Sequence, residues 1–172
     1  GRLASATTPE AGATAYQYNA FNLVAQRTDA RTVVTTYTYD TLNRLKTVSY
    51  STAGTTASPT AGVEYFYDEG GAAAFALGRV TRITDGIGGE TYQYDQLGRI
   101  TQLTKTISGI NYVMSYGYNQ AGQLKTITYP SNRQVTQDYD SIARLTKISS
   151  GGTGIDCSKE RELETRAPES YS

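Results

Sequence analysis

The residues best suited to chemistry recur at fixed places. Four carboxylates, Asp40, Asp68, Asp95 and Asp140, each follow a tyrosine directly. Three of them, Asp40, Asp95 and Asp140, precede an arginine by four positions: Arg44, Arg99 and Arg144. A fourth arginine, Arg79, holds the same place after a longer interval. Acids that line one rim offer a cation site or an acid and base pair, and carboxylates about 5–10 Å apart can hydrolyse a glycoside. The arginines offer a phosphate-binding stripe beside aromatic rings, the chemistry of a single-stranded nucleic-acid surface. Rows of tyrosine offer faces for sugars. Each feature also has a plainer reading. Asp at the first position of a turn hydrogen-bonds its own backbone. Arg opposite an acid forms a salt-bridge ladder, and tyrosines stack across strands. The plainer readings are favoured, because Asn19 and Asn119 replace the acid without its charge and because 16 basic residues balance 16 acidic ones.

Other chemistries are closed by composition. The chain has no histidine, which removes Ser-His and Cys-His nucleophile pairs and His-ligated metal sites. Its one cysteine, Cys157, cannot form an internal disulfide and has no base beside it. Gly86-Ile87-Gly88-Gly89 lacks the Lys-Ser/Thr of a phosphate-binding loop and reads as a hairpin loop. No cofactor is expected. With a net charge of zero, nothing draws the whole chain to nucleic acid or to a membrane surface. No run of 18 apolar residues is present, so no spanning helix is expected.

The elements that position these residues follow from a phrase that returns along the chain. Tyr92-Gln-Tyr94-Asp95-Gln-Leu-Gly98-Arg99-Ile100 places two tyrosines on one strand face, then a turn, then a second strand. The phrase recurs from Tyr16 and Tyr18, from Tyr37 and Tyr39, from Tyr65 and Tyr67, from Tyr116 and Tyr118, and with Tyr139 in the last copy. The second tyrosines stand at 18, 39, 67, 94, 118 and 139, in steps of 21, 28, 27, 24 and 21 residues. A period in this range marks a repeat architecture. Asn22, Asn43, Gly98 and Gly122 fall where a three-residue hairpin loop needs a left-handed residue, and these are the types that enter that region most readily. Ala143 holds the place with strain of roughly 1 kcal/mol. Tight turns are therefore expected at 19–22, 40–43, 95–98, 119–122 and 140–143. In the third copy, residues 69–77 read as an insertion at the hairpin tip, a loop or a short helical turn.

After each turn two apolar residues stand three apart, as in Leu45/Val48 and Ile100/Leu103, where a regular strand would space them by two. A bulge just after the turn returns both to one face. Returns such as 53–59, 85–89, 108–109 and 130–132 read as looser turns. Fifteen tyrosines, three phenylalanines and no tryptophan suit a single sheet wet on both faces better than a compact core. The expected fold class is all-β: an antiparallel sheet of repeated hairpins in a curved single layer, with about six repeats over 1–150. Residues 151–172 form a polar linker and tail, disordered or weakly helical, either native and variable or foreign to the repeats.

The phrase Tyr-x-Tyr-Asp-x-x-Gly-Arg-Leu at this period resembles the YD-repeat, or Rhs, family over about residues 1–150. The resemblance implies a long sheet that spirals into a hollow shell, as in bacterial polymorphic toxins, insecticidal toxin complexes, wall-associated proteins and animal teneurins. Toxin shells enclose a cargo domain and are cleaved from it at an Asp-Pro motif, a dipeptide that does not occur here. Such shells contain many more than six repeats. The chain also opens inside the phrase, at Gly1-Arg2-Leu3, so the expectation is an arc from a longer protein, secreted or at the cell surface and bacterial. The leading function is a structural, encapsulating wall without catalysis of its own. A carbohydrate-binding surface is the alternative, and a weak carboxylate hydrolase is the third. The expected partners are the remaining repeats of a shell or a second copy joined at an edge strand, and a glycan under the alternative.

Overall fold

In the computed structural model, residues 1–52, 60–150 and the backbone of 153–156 are described. The expected return loop 53–59, Cys157 and the tail beyond it lie outside the described residues. The strands are β1 (Ser5–Thr8), β2 (Gly12–Tyr18), β3 (Val24–Thr28), β4 (Val33–Tyr39), β5 (Leu45–Thr52), β6 (Val63–Tyr67) and β7 (Val80–Thr84). They continue as β8 (Gly88–Tyr94), β9 (Ile100–Ile107), β10 (Ile110–Tyr118), β11 (Leu124–Thr128), β12 (Gln134–Tyr139), β13 (Leu145–Ser150) and β14 (Thr153–Asp156). All 14 belong to one sheet and lie in sequence order, each antiparallel to the next. The expected all-β sheet of hairpins is therefore what forms. Strand β14 lies inside the stretch expected as linker and pairs with β13, so the sheet runs past residue 150.

The tight turns form where Asn and Gly allow them. In each, the fourth residue donates its N–H to the carbonyl of the first: Asn22 to Asn19 at 3.0 Å, Asn43 to Asp40 at 3.0 Å and Gly98 to Asp95 at 2.8 Å. Gly122 does the same to Asn119 at 3.0 Å and Ala143 to Asp140 at 3.0 Å. The fourth residues have positive φ, 76° at Gly98 and 68° at Ala143. The strain expected at Ala143 is thus present, since a Cβ in the left-handed region meets the following carbonyl oxygen.

The bulge follows the turn in each of the six tyrosine hairpins. Tyr39 faces Leu45 but Thr38 faces Thr47, which leaves Lys46 as the extra residue. Tyr94 faces Ile100 but Gln93 faces Gln102, which leaves Thr101. This brings Leu45 and Val48 to the face that carries Tyr37 and Tyr39, as the apolar spacing required.

The returns at 130–132 and 108–109 are tighter than expected, and a further tight turn stands at 29–32. Residues 29–32 and 129–132 repeat the same turn at the opposite rim, with Thr32 donating to Asp29 and Asn132 to Tyr129, both at 2.9 Å, and both residues at φ 62°. Ser108 and Gly109, at φ 50° and 79°, form a two-residue turn of the kind that matches strand twist. The turn at 29–32 went unseen because Thr32 is neither Gly nor Asn. The insertion at 69–77 holds a 3₁₀ turn at Gly71–Ala74, and Ala76 beneath it is buried.

Burial confirms a sheet without a core. Among the described residues only Val48, Ala76, Thr81 and Gly89 are buried, and no large side chain is fully so. Cohesion must therefore come from contacts between neighbouring strands and neighbouring repeats.

Candidate functional site

The tyrosine rows on the sheet face are the densest concentration of polar chemistry. Both tyrosines of a repeat point to one side, yet the two rows behave differently. The second tyrosine of every repeat donates its hydroxyl to a backbone carbonyl one repeat back. Tyr18 reaches Leu3 at 2.8 Å, Tyr39 reaches Val24 at 2.8 Å and Tyr67 reaches Leu45 at 2.8 Å. Tyr94 reaches Val80 at 2.5 Å, Tyr118 reaches Ile100 at 2.9 Å and Tyr139 reaches Leu124 at 2.9 Å. Five of the acceptors open the second strand of the preceding repeat, and Leu3 lies two residues before β1. Partial burial raises the pKa of Tyr39, Tyr67, Tyr94 and Tyr118 above the usual phenol value, which keeps the donating proton in place.

An arginine of the preceding repeat covers most of these rings. Arg44 lies 4.2 Å from the centre of the Tyr67 ring, Arg99 4.3 Å from Tyr118, Arg79 5.6 Å from Tyr94 and Arg2 5.0 Å from Tyr18. Cation–π contacts of this length add about 0.5–1 kcal/mol each at exposed sites. The rings therefore take arginine as their partner from the neighbouring repeat, where stacking among tyrosines had been expected.

The turn acids hold their own loops. Asp40 Oδ1 accepts the N–H groups of Leu42 and Arg44, both at 2.9 Å, and its Oδ2 accepts Arg44 Nε at 2.7 Å. Asp95 does the same with Leu97 and Arg99, and Asp140 with Ile142 and Arg144. Asp29 repeats the pattern at the opposite rim. The carboxyls fall below the usual aspartate range. For Asp140 the leading cause is the Arg144 backbone N–H; for Asp95 partial burial pushes upward but is outweighed by the hydrogen bonds from Arg99. These acids are committed to turns; Asp40 also comes near Asp68 of the next repeat, through the Arg44 that both hold.

The ladder between acids and arginines is mostly internal to the turn. Among the described residues Arg44 alone of the four also reaches an acid of the next repeat, with Nη1 2.7 Å from Asp68 Oδ2. Asp68 accepts Gly78 N–H at 2.6 Å across the insertion. Arg79 takes no acid; it donates to the carbonyls of Phe75 and Leu77, both at 3.0 Å, and so ties down that insertion.

The first row is looser. Tyr92 donates to Glu90, and Tyr116 lies 3.8 Å from the Met114 sulfur. Tyr16, Tyr37 and Tyr65 make no hydroxyl hydrogen bond among the described residues. Around Tyr37 and Tyr65 the face opens into a cleft of about 780 Å³ that Tyr50 and Arg27 also line. No group of three or more His, Cys, Asp or Glu able to hold a metal occurs among the described residues. No helix there is long and apolar enough to cross a membrane.

An open sheet of sequential hairpins, knitted by hydroxyls and guanidiniums from one repeat to the next, defines a repeat-built wall. The chain belongs to the teneurin YD-shell family, whose pattern matches residues 63–150, 88 of 172. No curated protein sequence matches it. Among solved structures it is similar to the TcdB2-TccC3 complex, with 16% identity over 91% of this chain and a TM-score of 0.76. It is also similar to TcdB2-TccC3-Cdc42, with 16% identity over 88% and a TM-score of 0.74. The Tc holotoxin pore of Photorhabdus luminescens, carrying the TccC3 D651A substitution, matches over 89% at 17% identity and a TM-score of 0.72. At this identity the likeness is one of fold. The chain spans 9%, 9% and 8% of those chains.

Proposed function

We propose that the chain is a wall segment of an encapsulating YD shell and carries no catalysis of its own. The hydroxyl ladder supports this reading: six tyrosines each fasten one repeat to the one before it. That device gives rigidity along the strip in the absence of a core. Its cost is borne by polar groups that a catalytic surface would leave available, since the turn acids are saturated by their own loops. The protein containing this stretch is read as secreted or cell-surface, and the stretch as one arc among many.

Among the described residues the outer edges of β1 and β14 have no further strand in this sheet. Unpaired edges recruit strands. The turn tips add Phe21, Leu42, Leu97 and Ile142, exposed by 70%, 68%, 67% and 66%, as an apolar row along one rim. In the whole shell the neighbouring repeats meet these groups; in isolation a second copy takes their place. Light scattering tests this reading directly. A dimer or an open series at tens of micromolar is expected, and a strict monomer contradicts the edge pairing. Electron microscopy of the longer protein tests the wall itself: residues 1–150 are expected as consecutive strands of a continuous shell, and a separate globule in their place would overturn it. Turnover of ester, phosphate or glycoside substrates by the isolated chain would overturn the non-catalytic part.

A further inference from the structure

One seam of the sheet is paired more sparingly than the rest. Strand β5 registers with β4 over seven positions, from Leu45 against Tyr39 to Thr52 against Val33. With β6 it registers at Thr47–Glu64 and Val48–Val63 alone. Every other pair of neighbouring strands registers over three positions or more. Among the described residues, Ser49–Thr52 therefore run on past β6 with no strand beside them on that side.

The gap opens to both faces. Adjacent residues of a strand point to opposite sides of the sheet. On the tyrosine side, Tyr50 and Tyr65 border the cleft of about 780 Å³. On the other side, Ser49, Gly62 and Glu64 border a second cleft, of about 460 Å³. Val48 lines both. The seam is thus a notch, held toward the turn tips and open toward the opposite rim.

Side chains hold its tip end. Arg44 stands between Asp40 Oδ2 and Asp68 Oδ2, 2.7 Å from each, and its guanidinium lies 4.2 Å from the centre of the Tyr67 ring. The Tyr67 hydroxyl reaches the Leu45 carbonyl at 2.8 Å. Asp68 is itself anchored by the Gly78 N–H, at 2.6 Å. Asp40 and Asp68 belong to different repeats, so without the guanidinium two like charges would repel each other across the seam.

We propose that the seam between β5 and β6 is a hinge of the strip, with its tip end as pivot and Arg44 as clasp. A sheet resists bending through its ladder of hydrogen bonds, and the stretch with the fewest of them opens most readily. Swinging there changes the curvature of the arc and widens or narrows the notch without parting any other pair of strands. The motion belongs to the strip itself, whatever a shell built from it encloses.

The test places nitroxide spin labels on cysteines in the full chain carrying Cys157→Ser, diluted with unlabelled chain so that only distances within one molecule are read. One pair, Ser51→Cys with Thr91→Cys, spans the seam. The other, Asn111→Cys with Lys147→Cys, spans β10 to β13. All four positions are exposed, and each pair stands three strands apart. Expected is a broader distribution of distances for the first pair. Arg44→Leu should broaden it further while the second pair stays unchanged. Asp68→Asn should do the same with less disturbance of the fold, which circular dichroism checks. Equal widths in the two pairs overturn the hinge. So does a width across the seam that neither substitution changes, or a broadening that both pairs share.

Discussion

The two tyrosine rows share one face, one residue type and a spacing of two along the same strands, yet they do different work. The second row ends in backbone carbonyls of the preceding repeat and, at Tyr18, Tyr67, Tyr94 and Tyr118, lies under an arginine of that repeat. The first row stands opposite aliphatic residues of its own hairpin, except at Tyr16, which faces Arg27, and three of its five hydroxyls make no hydrogen bond among the described residues. The difference lies in what stands one repeat back. Pairing between β3 and β4 covers Gln26–Thr28 and stops short of Val24, whose carbonyl accepts the Tyr39 hydroxyl. In a protein with almost no buried side chains, that reach does the work a core does elsewhere.

The contrast is most strongly broken by deleting a whole side chain. Tyr67→Ala removes the bond to Leu45, the cover of Arg44 and a half-buried ring, and should cost about 2–3 kcal/mol. Tyr65→Ala removes only packing and should cost about 1 kcal/mol less. Urea denaturation of both variants checks the ordering, and equal losses would erase the distinction between the rows.

Next in size is the turn that sets the register. Gly98→Val places a β-branched residue at φ 76° and drives its Cβ into the Arg79 guanidinium, which would have to swing away from Tyr94. The expected loss is about 1–2 kcal/mol. Ala143→Gly relieves existing strain at φ 68° and should raise stability by about 1 kcal/mol. Midpoints that move in these opposite directions support the turn geometry.

The sequence carried most of this frame and little of the ladder. Turn positions were legible because Asn22, Asn43, Gly98 and Gly122 are the residue types that tolerate positive φ, and the bulge was legible from apolar pairs spaced by three. The tight returns at 29–32 and 129–132 were hidden, the first because Thr32 gives no signal of positive φ and the second because Pro130 suggested a looser loop. Both kinds of tyrosine read alike as letters. Which hydroxyl meets a carbonyl depends on stagger between repeats, and no local pattern encodes that. Arg27 was visible as a departure only once the register showed what stands opposite each first tyrosine.

Smaller effects come from pH, and they differ in sign at the two ends. Asp40, Asp95 and Asp140 titrate below the ordinary value near 3.8 in the folded chain. Their contribution is complete above that value and is lost as pH falls through the lowered one, so unfolding should become easier below about pH 4. Tyr39, Tyr67, Tyr94 and Tyr118 titrate above the ordinary 10.0, chiefly through burial. Their contribution is complete below that value and is lost as pH rises through the raised one. A second-row Tyr→Phe variant should show a shallower decline above pH 10 than the parent chain.

The central claim is that second-row hydroxyls, and not first-row ones, fasten repeat to repeat. Tyr→Phe exchange removes one oxygen and keeps the ring, so it tests the claim with the least disturbance. Denaturation free energies for Tyr39→Phe and Tyr118→Phe, set beside Tyr37→Phe and Tyr65→Phe, give the answer. The account predicts a loss of about 1 kcal/mol for each of the first pair and less than about 0.5 kcal/mol for each of the second. Equal losses in the two pairs would contradict it.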